Sequence, residues 1–237
     1  MRPDPDFRVK QTEIILSAAG PAQFPDDRLP QVAFVGRSNV GKSSLLNTLA
    51  NRRQLAHVSG TPGRTQLVNF FRVNGDSYFV DLPGYGFAKA PDSVKKGWEK
   101  LITGYLSPNL SLRAVVALFD IRRERTAEDI ALLDWLAHRK IPAIAVLTKC
   151  DKLPRARRMD AMKTLRIILK SRGTGIVGMH LFSALSREGK DELLAAVGGV
   201  LRDDPDADIE TAAAPNSEVA PETVVMDDDW VGRPDPD

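Results

Sequence analysis

Cysteine is almost missing: Cys150 stands alone among 237 residues, so the chain cannot close a disulfide on itself. That excludes a small secreted scaffold held together by bridges. The opening stretch, MRPDPDFRVKQTEIILSAAG, holds no continuous apolar run of the kind an export signal carries, and a cytoplasmic protein is the expectation. Long hydrophobic runs are missing too. Segments such as Ala114 to Phe119 and Ile141 to Leu147 fall far short of the roughly 20 residues that cross a bilayer, and they suit buried strands. No membrane partner is expected, and no internal repeat is present.

With 43% hydrophobic and 27% charged residues, the chain can bury one sizeable core and little more. Three parts are expected, in a monomer. Residues 1–30, rich in Pro and Asp around the apolar patch Ile14 to Ala19, read as an N-terminal extension packing on the domain. Residues 31–202 read as the domain, and residues 203–237, without apolar period, as a disordered tail. The net charge of +2 conceals an asymmetry: twelve acidic residues against Arg233 give the tail −11, leaving +13 on the body. A basic body suits a polyanion such as RNA, and ordinary solvated lysines and arginines are the competing reading. The tail either competes with RNA for that surface, touching it around Asp227-Asp228-Asp229-Trp230, or only aids solubility.

The stretch Gly36-Arg37-Ser38-Asn39-Val40-Gly41-Lys42-Ser43 fits G-x-x-x-x-G-K-[ST]. It lies between a short apolar run, Val32 to Val35, and Ser44 to Ala50, where Leu45, Leu46 and Leu49 recur at helical spacing. In such a loop the backbone N–H groups and the helix dipole face an anion. Lys42 would reach the β- and γ-phosphates, and the Ser43 hydroxyl would ligate the Mg²⁺ that bridges them.

Two strands, Leu67 to Val73 and Tyr78 to Asp81, flank Asn74-Gly75, a dipeptide suited to a tight hairpin. A helix over 93–106 buries Val94, Trp98, Leu101, Ile102 and Tyr105. Alternation follows: strands at 114–120, 141–147 and 177–182, helices at 127–138, 158–171 and 190–201. Such a chain gives a mostly parallel α/β sheet with helices on both faces and ligands at the carboxyl ends of the strands. One hairpin strand should run antiparallel at its edge.

Each further motif falls at a strand end. Asp81-Leu82-Pro83-Gly84 puts a carboxylate where it can help hold Mg²⁺ and a glycine whose N–H can approach a γ-phosphate. In Thr148-Lys149-Cys150-Asp151 the aspartate can accept two hydrogen bonds from the N1–H and N2–H₂ edge of guanine, a pair of donors adenine lacks. Lys149 would lay its stem along the base. Ser183-Ala184-Leu185 can offer an N–H to guanine O6. The aperiodic loop 57–66 can touch the nucleotide. Together these motifs form the signature of a GTPase of the translation-factor type.

The strings GRSNVGKSSLLN (36–47), TPGRTQLVNFF (61–71), DLPGYGFAKA (81–90) and TKCD (148–151) resemble the EngB family, also called YihA or YsxC, over roughly residues 12–200. The resemblance implies a Ras-like P-loop GTPase fold, Mg²⁺-dependent binding of GTP and GDP, slow hydrolysis, a role in maturing the large ribosomal subunit through its RNA, and a link to cell division and septation. By position, Gly36 to Ser43 would bind the phosphates. Gly63, Arg64, Thr65, Gln66 and Leu67 would form the switch, with Thr65 closing on Mg²⁺ and the γ-phosphate and Thr61 the second candidate. Metal ligands would be Ser43, Thr65 and Asp81, and Phe182, Ser183 and Ala184 would match the guanine loop. Lys42, Thr65, Gly84 and Asn39 are the catalytic candidates. Asn39 takes the place where related GTPases hold K⁺, and either it does so here or it only shapes the loop. Arg122-Arg123-Glu124 departs from the Arg-His-Pro of the family pattern, and the acidic tail lies outside that pattern. A nucleotide-gated binding module with incidental turnover, and a P-loop ATPase or small-molecule kinase, are the rival classes.

Overall fold

The structure, a computed structural model, describes residues 2–52, 55, 67–86, 100–106 and 109–203. The switch candidates Thr61, Gly63, Arg64, Thr65 and Gln66, the first part of the 93–106 helix with Val94 and Trp98, and the tail beyond Asp203 lie outside these residues.

Seven strands form one sheet in the order β1-β3-β4-β2-β5-β6-β7. β2 (Gln31–Gly36), β4 (Ser77–Asp81) and β6 (Ala143–Thr148) are buried along their whole length, as is most of β5 (Leu112–Asp120). That is why they read as continuous apolar runs: parallel strands covered on both faces have no polar side to show. β5 pairs in parallel with β2 and β6, and β6 with β7 (Ile176–Phe182). β3 (Val68–Val73) runs antiparallel to β4 through a turn in which Asn74 has φ 53° and Gly75 φ 83°, as the Asn-Gly pair predicts.

β3, which the sequence places at the sheet edge, is an inner strand. Its free side is taken by β1 (Thr12–Ala18), paired antiparallel from Thr12↔Val73 to Ala18↔Val68. Residues 12–18 hide their strand character because the register shifts between Ile14 and Leu16, leaving both Ile14 and Ile15 exposed. A bulge of this kind breaks the alternation by which strands are recognised.

Two apolar layers sandwich the sheet, and successive residues of each strand alternate between them. Ala33, Val35, Phe70, Val80, Val115 and Ala145 face helical residues 100–106, α2 (Ala127–His138) and α3 (Arg155–Ser171). Val32, Phe34, Phe71, Phe79, Val116 and Ile144 face α1 (Lys42–Leu49) and α4 (Lys190–Arg202). Phe7 and Val9 join this second layer. The segment carrying them lies against α4: Asp4 N–H donates to Ala195 O at 2.8 Å. Gly198 and Gly199 make the close approach possible, because a Cβ would stand 2.2 Å from Phe7 Cβ at the first and 2.1 Å from Arg2 O at the second. Asn74 secures the same segment on its other side, accepting from Lys10 N–H at 2.8 Å and donating to Arg8 O at 2.8 Å.

Candidate nucleotide-binding site

The carboxyl ends of β2, β4, β5, β6 and β7 form one rim, and every motif within the described residues falls on it. β2 ends at Gly36, where a Cβ would meet Leu118 O and Val40 Cγ1 at 2.9 Å, so only glycine fits. The loop then turns through Asn39 at φ 63° and Gly41 at φ 109°. Gly41 caps α1 without a side-chain acceptor, so no side chain at the cap competes with an anion for the first N–H groups of the helix. Lys42 Nζ pairs with the buried carboxylate of Asp81 at the end of β4, which also accepts from Asn69 Nδ2 at 3.4 Å.

The residues after Asp81 fold back against this loop. Gly84 lies so close that a Cβ would come 3.2 Å from both Gly36 O and Ser38 N. Tyr85 extends the contact: Ser38 N–H donates to Tyr85 O at 2.9 Å and Tyr85 N–H to Gly36 O at 3.3 Å. Leu82 is buried and Pro83 half-buried in the same turn. Ser38 Oγ is buried without a hydrogen-bond partner among the described residues. The Tyr85 hydroxyl donates to Asp129 Oδ1 at 2.7 Å, and burial, with the Asp129 charge second, pushes that phenol well above its ordinary value. Asp129 in turn closes a capping box with Thr126 at the start of α2.

Across the rim, β6 delivers the base-recognition motif. Thr148 Oγ1 donates to Val40 O at 2.7 Å. Lys149, at φ 59°, donates to Asn39 O at 2.7 Å and to Asp120 Oδ2 at 2.9 Å. Thr148 and Lys149 thus clamp the phosphate loop. Asp120 ends β5 and also receives Arg122 through its guanidinium and its backbone N–H. Burial alone would raise the Asp120 carboxyl, but hydrogen bonds from Arg122 and Lys149 outweigh it and hold the group well below the usual carboxylate range. Arg122, the residue of this loop that agrees with the family pattern, therefore anchors it just before the departure at Arg123 and Glu124. Arg125 follows it, stacked over Phe119 at 5.0 Å.

Cys150 is fully buried, its thiol pushed up to about 11 by burial first and by Glu188 second, so it acts as a small core residue. Asp151 is held by Ser183 Oγ at 2.7 Å, and that hydrogen bond is the main cause of its lowered pKa. Ser183 itself is fully buried, and its Oγ accepts from the N–H groups of Leu185 and Ser186, both at 3.2 Å. One hydroxyl therefore ties the carboxylate to the loop carrying Ala184. Phe182 anchors that loop in the core, and Leu67 stands half-buried just before β3.

Comparison with known proteins gives the same picture. Residues 31–149 match a family described as "50S ribosome-binding GTPase". A "Probable GTP-binding protein EngB" from Citrifermentans bemidjiense is 50% identical over 193 residues, 81% of this chain and 89% of its own length. The chain belongs to the EngB family of GTP-binding proteins. Another EngB relative, from Syntrophotalea carbinolica, is 51% identical over 197 residues, 83% of this chain and 94% of its own. A crystal structure of a probable EngB superposes with a TM-score of 0.60 at 22% identity, covering 73% of this chain and 98% of that one. Era solved with MgGDPNP and a segment of 16S ribosomal RNA superposes at 0.56 and 21% identity, over 81% and 59%. Both structures share the Ras-like fold. The site is accordingly that of an EngB P-loop GTPase, and GTP is its nucleotide.

Asp120 and Asp129 are the site residues that motif reading passes over. The Thr126-x-x-Asp129 capping pattern marks the second as a helix start, but nothing in the sequence ties it to Tyr85. Among the described residues no helix is long and apolar enough to cross a membrane.

Proposed function

We propose that this chain is a Mg²⁺-dependent GTPase of low intrinsic rate that acts in assembly of the large ribosomal subunit and is needed for normal cell division and septation. The observation that carries the nucleotide part is the Asp151–Ser183 pair: a carboxylate held ionised at the mouth of the site, able to take both donors of the guanine edge. Adenine would leave that charge unpaired, and the discrimination against it should be large.

The residues fit Mg²⁺, which takes one or two protein oxygens and completes its shell with phosphate oxygens and water. The Asp81 carboxylate and the Ser43 hydroxyl are hard oxygen donors of that kind at neighbouring strand and helix ends. Bound there with Thr65, the ion would neutralise charge developing on the phosphates. Lys42, now paired with Asp81, has the anion of the nucleotide as its alternative partner. Gly84 would present its N–H to the γ-phosphate, and Asn39 would hold K⁺ beside it.

Slow turnover follows from Tyr85. The residue after the D-x-x-G glycine orients water in Ras-type enzymes when it is glutamine, and here it is a tyrosine whose hydroxyl is engaged by Asp129. The ribosomal part is supported by the family description and by the basic body of +13. In the test, Asp151→Asn should lose GTP affinity and gain xanthosine triphosphate affinity, and large subunits should raise wild-type turnover roughly 10³-fold or more if they supply the stabilising group. Unchanged guanine preference in the variant would overturn the nucleotide assignment, and fast turnover indifferent to subunits would overturn the ribosomal one.

A further inference from the structure

One solvent face of α3 (Arg155–Ser171) combines cations with exposed apolar side chains. Arg155, Met159, Lys163, Arg166, Ile167 and Lys170 are all exposed, and their spacing of three and four residues stacks them along one side of the helix. Among the described residues no carboxylate pairs with any of the four cations, whereas the neighbouring Arg158 and Arg172 bind Glu188 and Asp134. Met159 at 51% and Ile167 at 69% exposure interrupt the cations with apolar surface. The stripe has the form of a docking site for a chain that is both acidic and apolar.

We propose that the occupant is this chain's own C-terminal segment, residues 224–231, Val-Val-Met-Asp-Asp-Asp-Trp-Val. Its order of chemistry mirrors that of the helix. Met226 and Trp230, four residues apart, stand about 13 Å from one another in an extended chain; Met159 and Ile167, eight residues apart on a helix, stand about 12 Å apart. Asp227, Asp228 and Asp229 lie between the first pair as Lys163 and Arg166 lie between the second. Reach is sufficient, since 24 residues lead from Asp203 to Asp227, and a coil of that length has a root-mean-square span of about 27 Å. A domain of this size has a radius of gyration of roughly 16 Å. Tethering makes the encounter intramolecular, at an effective concentration in the millimolar range. The docked segment covers the most basic helix among the described residues, so a polyanion must displace it to reach that helix.

Zero-length carbodiimide cross-linking of the full chain, mapped by mass spectrometry, tests this directly. Lys163 and Lys170 should join to Asp227, Asp228 or Asp229 in preference to Lys10 and Lys140, which are also exposed. The yield should fall severalfold between 50 mM and 0.5 M salt, as screening shortens the range of the charges. The full-length variant Met159→Ser/Ile167→Ser, altered only at exposed positions, should lower the same yield severalfold with the cations intact. Cross-links spread evenly over all lysines would overturn the proposal, as would links that join labelled to unlabelled chains in a mixed sample. So would a free protein without these links whose Lys163 and Lys170 become protected from acetylation only when ribosomal RNA is added.

Discussion

Ser183 sets how firmly Asp151 stays charged. Its hydrogen bond lowers the carboxyl's pKa in the folded protein, so the bond stabilises the fold above the ordinary carboxylate pKa of about 3.9, and that contribution is lost as pH falls through the lowered value. Ser183→Ala should therefore move the Asp151 titration upward, measured by NMR, and guanine affinity should begin to fail at a higher pH than in wild type. Asp120 follows the same sign with a larger displacement. Asp120→Asn should cost about 2 kcal/mol in denaturant unfolding, since hydrogen bonds to a charged group are lost. It should also loosen Lys149 from the phosphate loop and weaken nucleotide binding. The motif residues were legible in the sequence because their backbone geometry demands fixed spacing and fixed residue types, as at Gly36 and Gly41. Asp120 and Asp129 were not, because what they do depends on Lys149, Arg122 and Tyr85, which reach them only through the tertiary fold.

Among the elements, α4 and the loop after β4 carry the features that composition conceals. Gly198 and Gly199 look unfavourable in a helix interior, yet the approach of residues 2–7 requires them. Gly199→Ala should destabilise the protein by about 1–3 kcal/mol through overpacking and should open the first residues to protease, read by limited digestion. Tyr85 ties the loop after Asp81 to the cap of α2. Tyr85→Phe leaves Asp129 Oδ1 without that donor, at a cost of about 1–3 kcal/mol, and urea unfolding should report it. The parallel strands β2, β5 and β6 were readable as apolar runs and α1 as a spaced helix. β1 escaped because a bulge set two isoleucines toward solvent, and with it went the inner position of β3.

For the whole molecule, charge joins the site to its proposed partner. A body of +13 should bind ribosomal RNA mainly through phosphate contacts, and its affinity should fall steeply as salt is raised. Nucleotide is expected to decide when that surface is used, because Gly84 lies directly against the phosphate loop at Gly36 and Ser38 and its N–H would answer to a γ-phosphate. Sedimentation of the full-length protein with purified large ribosomal subunits, comparing a non-hydrolysable GTP analogue with GDP at fixed salt, tests this most directly. The account predicts strong co-sedimentation with the GTP analogue, weak with GDP, and little with small subunits in either state. Equal sedimentation with both nucleotides, or equal sedimentation with both subunits, would contradict it.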